Sequence, residues 1–124
     1  MGEVSCYFQV GEEDLWNPSN SVARVFLGQA DVLSRLVGQD SGLGPIVEDE
    51  CELEFSTFVN FVDSLVKTYQ DSNNRALRSL IGGFISVAMV LVERGGGELQ
   101  SISSEYADMW AEVRETHARS MPTG

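Results

Sequence analysis

Glutamates stand at every second position of one short run: Glu48, Glu50, Glu52 and Glu54. Asp49, Cys51, Leu53 and Phe55 lie between and after them. Strict alternation is the pattern of a strand, in which successive side chains point to opposite faces. One face then carries four carboxylates about 7 Å apart, and the other sends Cys51, Leu53 and Phe55 toward a core. Like charges in a row repel, so this ladder suits water or a cationic partner, either a basic protein or a cationic small molecule. Calcium would want a tight glycine turn among its oxygen ligands, which the run lacks. Alternating carboxylates are also too far apart to share a proton as a catalytic dyad. Neither a metal ion nor a cofactor is expected.

His117 is the only histidine, so no Ser-His-Asp or Cys-His set can be argued from it. Its place on a helix stripe predicts a half-buried structural imidazole. Cys6 and Cys51 both fall on the apolar phase of a strand, where each packs as a small hydrophobe. A disulfide between neighbouring strands is conceivable but not expected, since nothing marks the chain as secreted. Trp16-Asn17-Pro18-Ser19-Asn20 gathers an indole and two amides at a helix start, where anions can bind. Capping by Asn17 and an apolar staple from Trp16 explain the same residues. If a ligand pocket exists between the helices, Tyr7, Trp16, Asn20, Tyr106, Trp110 and His117 are the residues to shape it. No phosphate-binding glycine motif follows a strand.

The elements that must position these groups follow from periodicity. Val4, Cys6, Phe8 and Val10 alternate with polar residues and predict a first strand, broken at Gly11-Glu12-Glu13-Asp14. Asn17-Pro18 starts a helix with Val22, Val25, Phe26, Leu33 and Leu36 at helical spacing, ended by Gly38. Residues 38–46 read as a glycine-rich loop before the glutamate strand. A second helix opens at Ser56. Asp71-Ser72-Asn73-Asn74 stops it and caps a third, from Asn74 to Arg94, that is apolar around most of its surface. Gly82-Gly83 inside it predicts a close approach by a neighbouring backbone. After Gly95-Gly96-Gly97 a last helix is capped by Ser103 or Ser104. The expected fold is α+β, mostly helical: two short strands and four helices in the order β-α-β-α-α-α. A strand-helix-strand order favours a parallel pair. Residues 1–124 form one domain, with residues 119–124 as a frayed tail.

Nineteen acidic residues against eight basic ones give a formal net charge of −11. Nucleic acid is not expected as a partner, because phosphate binding wants clustered Lys and Arg. An anionic membrane is disfavoured for the same reason. The most apolar run, Ile81 to Val92, is too short to span a bilayer. Met1-Gly2-Glu3-Val4-Ser5-Cys6 lacks the pattern of a secretory leader, and cytoplasm is the expected location. A two-stranded sheet gives the third helix limited cover, so a homodimer through that helix or a strand edge is expected.

Leu15-Trp16-Asn17-Pro18-Ser19-Asn20, Asp49-Glu50-Cys51-Glu52, Leu91-Val92-Glu93-Arg94 and Ala118-Arg119-Ser120-Met121-Pro122 together resemble a family of small, functionally uncharacterised actinobacterial proteins. The resemblance implies a streptomycete-like source and cytoplasmic residence, and carries no activity or catalytic residue. Two functions stay open. One is a small acidic protein that binds a basic partner through the glutamate face. The other is a cofactor-free cyclase or isomerase of specialised metabolism, with an apolar pocket between helices.

Overall fold

The computed structural model describes residues 5–124. Val4, placed on the first strand above, lies outside the described residues.

The chain begins with a hairpin of two short strands, β1 (Tyr7–Val10) and β2 (Glu13–Trp16), joined through Gly11 at φ 59°. A long helix, α1 (Asn20–Val37), leads to a second hairpin, β3 (Leu43–Val47) and β4 (Glu50–Leu53). Three further helices follow: α2 (Phe55–Asp71), α3 (Arg75–Arg94) and α4 (Ala107–Ala118). The two hairpins form one mixed sheet in the order β2-β1-β4-β3, with β1 and β4 parallel at its centre.

The expected β-α-β-α-α-α order is therefore corrected to β-β-α-β-β-α-α-α, with four strands in place of two. Both missed strands are sheet edges, where hydrophobic patterning is weakest. In β2, Glu13 and Asp14 are exposed while Leu15 and Trp16 are buried, so no alternation is visible. Charged residues on an edge also discourage pairing with other chains. In β3, Pro45 removes a ladder donor, which only an edge or a bulge tolerates, and the register shifts between Leu43 and Ile46. The glutamate alternation ran straight through a turn. Glu48 and Asp49 both take positive φ, 51° and 64°, as the two-residue link between Val47 and Glu50. Positive φ at both central residues is the requirement of a type I′ hairpin.

Between the hairpins, α1 packs through Ala23, Phe26, Ala30 and Leu33. Phe26 meets Phe8 and Trp16 edge-on from the sheet and stacks on Phe84 of α3, with centroids 4.7 to 5.5 Å apart. One ring thus fastens the sheet to the central helix. The cap of α1 is Ser19, whose hydroxyl accepts the Val22 N–H at 3.4 Å; the expected cap, Asn17, lies two residues earlier. Asn17 instead donates its backbone N–H to Pro122 at 2.7 Å. Met121, in the segment read as a tail, is also buried.

By length and composition α3 could cross a membrane. Here it is the central helix, with Ile81, Phe84, Ile85, Ala88, Met89, Val90, Leu91 and Val92 buried. Asn74 caps it as predicted, its side chain accepting the Leu77 N–H at 3.0 Å. The room at Gly82 is taken by the ring of Tyr69 and not by a neighbouring backbone: a Cβ there would lie 3.2 Å from it. Beyond Gly83 there is open space. α4 starts later than the serines suggest, after a turn closed by the Tyr106 N–H on the Ser103 carbonyl at 3.1 Å.

Candidate functional site

The sheet layer carries nearly all of the net charge. Residues 5–19 and 38–54 contain Glu12, Glu13, Asp14, Asp40, Glu48, Asp49, Glu50, Glu52 and Glu54, all exposed, and no Lys or Arg. The remaining described residues hold nine acids and all eight basic residues, close to balance. The alternation of β4 sends Glu50 and Glu52 outward while Cys51 and Leu53 are buried. On that outer side Tyr7 lies opposite Glu50, and Gln9 opposite Glu52.

The four predicted carboxylates divide by role. Glu48 forms the β3–β4 turn, and Glu50 is free on the strand. Glu52 accepts from the Gly11 N–H at 2.8 Å and from Gln9 Nε2 at 3.3 Å, so it ties one hairpin to the other. Glu54 precedes α2 without capping it by side chain. Asp40, Glu52 and Glu54 border a hollow of about 330 Å³ walled by Gly42, Leu43, Gly44 and Leu53. Its carboxylates have the charge to match one amine or guanidinium. Among the described residues, no three Asp, Glu, His or Cys side chains converge as a metal ion requires.

The residues proposed for a ligand pocket are dispersed. Trp16 belongs to the aromatic cluster under the sheet, stacked on Phe8 at 5.3 Å. Asn20 opens α1, and Tyr7 is half-buried on the outer sheet face. Tyr106 and Trp110 meet at the start of α4, where Trp110 packs on Tyr69 at 4.8 Å and donates its indole N–H to Gln70 at 3.4 Å. His117 is half-buried and donates Nδ1–H to the Val113 carbonyl at 2.8 Å, one turn back on its own helix. Tyr106 and Trp110 share a neighbourhood around Tyr69.

Cys6, just before β1, and Cys51, on the adjoining β4, are fully buried free thiols. Burial, reinforced by the neighbouring Cys6, pushes the Cys51 thiol up to about 12. Burial and the nearby Asp49 raise Cys6 as well. Both shifts disfavour the thiolate, which is the reactive form of a cysteine.

Three polar anchors were not legible beforehand. Arg78 donates to the Tyr69 and Gln70 carbonyls at 3.1 and 3.3 Å and to the Tyr106 hydroxyl at 2.8 Å. It therefore closes the open carbonyl end of α2. Arg94 joins the Leu15 carbonyl of β2 to the Ala118 carbonyl of α4, at 2.8 and 3.2 Å. Asp63 holds the loop before α4, accepting from the Gln100 and Ser101 N–H groups and the Ser101 hydroxyl at 2.6 to 2.8 Å. Each reaches across 15 or more positions of chain or to backbone atoms, which no local motif records. The acidity of the sheet layer did have a signal: no basic residue occurs from Met1 to Ala23 or from Leu36 to Val66.

A second surface lies between α1 and α3. A groove of about 580 Å³ is lined by Val25, Val32, Leu33, Leu36, Leu77 and Leu80, with Arg24 and Gln29 as its main polar members. A neighbouring hollow of about 320 Å³ continues it over Trp16, Phe84 and Gly83, sharing Val25 and Gln29. Val22, Val25 and Leu36, apolar positions in the helical spacing of α1, are 46 to 60% exposed here.

These features define an α+β domain with an open acidic sheet face and an apolar helical groove. The chain belongs to the family of unknown function DUF6086, which matches residues 4–123. No curated protein and no solved structure matches it.

Proposed function

We propose that this protein is a small acidic interaction protein that binds a basic protein or cationic ligand through the sheet layer. The observation that carries the reading is the hollow bordered by Asp40, Glu52 and Glu54, set in a layer of nine exposed acids without one basic residue. A Lys or Arg side chain of a partner would place its charge among these carboxylates. The free Glu48 and Glu50 would raise the encounter rate by their field.

The cyclase or isomerase reading draws on the α1–α3 groove. Arg24, Gln29 and Ser21 are the polar side chains lining its two parts, and no carboxylate, imidazole or thiol is among them. General acid–base chemistry has no candidate group there, so binding is the better-supported reading. We further propose cytoplasmic residence in an actinobacterial cell. The resemblance noted above supports the source, and two buried thiols that form no disulfide suit a reducing compartment.

The test is titration with an oligolysine peptide, followed by fluorescence at low and high salt. Glu50→Gln with Glu54→Gln should weaken binding about tenfold at low salt and flatten its salt dependence. Glu112→Gln with Glu115→Gln on α4 removes the same charge elsewhere and should change little. Equal losses from the two double variants would reduce the effect to net charge and sink the site.

A further inference from the structure

We infer that the α1–α3 face is a two-fold interface on which a second copy of this chain docks. This goes beyond the sheet-layer reading and does not depend on it. Both helices present an outward seam in addition to their core face. On α1 the seam is Val22, Val25, Gln29, Val32 and Leu36, at intervals of three and four. On α3 it is Ala76, Leu80, Gly83 and Val87, again at four, three and four. That spacing is the signature of helices that pack on further helices. Two copies of the pair would complete a four-helix seam.

Three observations favour a second copy as the occupant. The first is shape. Leu80 is 75% exposed and stands beside the 580 Å³ groove, so a knob and a hole lie on one face. An isologous interface needs that self-complementarity. Gly28 and Gly83, one on each helix, have nothing within 4 Å of where a Cβ would be, which leaves room for a close crossing.

The second is charge. Arg24 and Asp31 lie on either side of Gly28, both exposed, and neither forms an ion pair among the described residues. An antiparallel crossing near Gly28 brings each Arg24 toward the partner's Asp31, twice by symmetry. A chain of net charge −11 also meets itself with least repulsion here, since α1 and α3 together carry five Arg against Asp31 and Glu93. The third is register. Gln29 at the centre of the α1 seam would sit near the two-fold axis, where a polar residue fixes alignment.

Sedimentation of the whole chain across the micromolar range tests this. The expected species is twice 13.6 kDa. Leu80→Glu should yield a monomer with an unchanged circular dichroism spectrum, because Leu80 is three-quarters exposed and no part of the buried core. Arg24→Asp should raise the dimer dissociation constant at least tenfold, and adding Asp31→Arg should recover most of that loss. A single 13.6 kDa species throughout would overturn the proposal and leave the groove to another partner. A dimer indifferent to Leu80→Glu would also overturn it and move the contact to a sheet edge. Failure of the charge swap to recover association would overturn the antiparallel crossing.

Discussion

The sheet layer and the α1–α3 face show two ways in which one small chain meets solvent. The sheet buries Cys6, Phe8, Cys51 and Leu53 on one side and offers carboxylates on the other. The helical face keeps Val25, Val32 and Leu80 more than half exposed, with Arg24 and Asp31 beside them. Along β4, polar and apolar are separated by the pleat. On α1 they are not, because its circumference carries two apolar stripes and only one is covered by this chain. A strand with one apolar face is complete once that face is covered. A helix with two is complete only when something else arrives.

The largest effect should come from cutting the joint between the regions. Phe26→Ala removes the ring that touches Phe8, Trp16 and Phe84 and should cost about 3–5 kcal/mol by urea denaturation. Val25→Ala, one residue away on the open face, should change the stability of the monomeric Leu80→Glu form by less than about 0.5 kcal/mol. A similar cost at both positions would erase the distinction between a covered and an uncovered stripe.

The buried thiol gives a pH signature to the sheet side alone. Cys51 stays protonated in the folded chain up to about 12, while an unfolded thiol ionises at its ordinary value. The folded state then holds the extra proton, so its contribution is full below the unfolded value and lost as pH rises toward 12. Stability should fall between pH 9 and 12, with a slope approaching about 1.4 kcal/mol per pH unit from this group. Cys51→Ala should flatten that part of the profile. An unchanged slope would mean that the thiol is open to water.

Asp63→Ala tests the helical side. It strips three hydrogen bonds from the loop before α4 and should cost about 2 kcal/mol, with faster amide exchange at Gln100 and Ser101. The smallest change should be a gain. Glu48 and Asp49 hold positive φ, which costs an ordinary L residue about 1 kcal/mol or more. Glu48→Asn with Asp49→Gly should raise the melting temperature, as Asn-Gly is the favoured pair for this turn. A lower melting temperature would show that the two acidic side chains contribute more than the backbone strain removes.

Much of the fold was legible where one residue type repeated at one period. Phe58, Phe61, Val62, Leu65 and Val66 gave α2 its inner face, and Asn74 marked the start of α3. Glu50 to Leu53 alternated as read. The edge strands were not legible, because Glu13-Asp14 and Gly44-Pro45 carry no alternation to see. The candidate site was half legible. Glu52 and Glu54 were visible as part of a run, whereas Asp40 reaches their hollow from before β3.

The sequence by itself determined the charge of −11, its concentration outside the basic stretches, the helical periods and the burial phase of β4. These are local, since each depends on residue type at a fixed spacing. Tertiary structure alone decided that Glu48-Asp49 would turn the chain, that Glu52 would bind the backbone of Gly11, and which of the two apolar stripes of α1 would be covered. Those outcomes depend on which distant segment arrives beside a residue. Helix period and charge tell what a face can accept, and the packing of the whole chain determines what it receives.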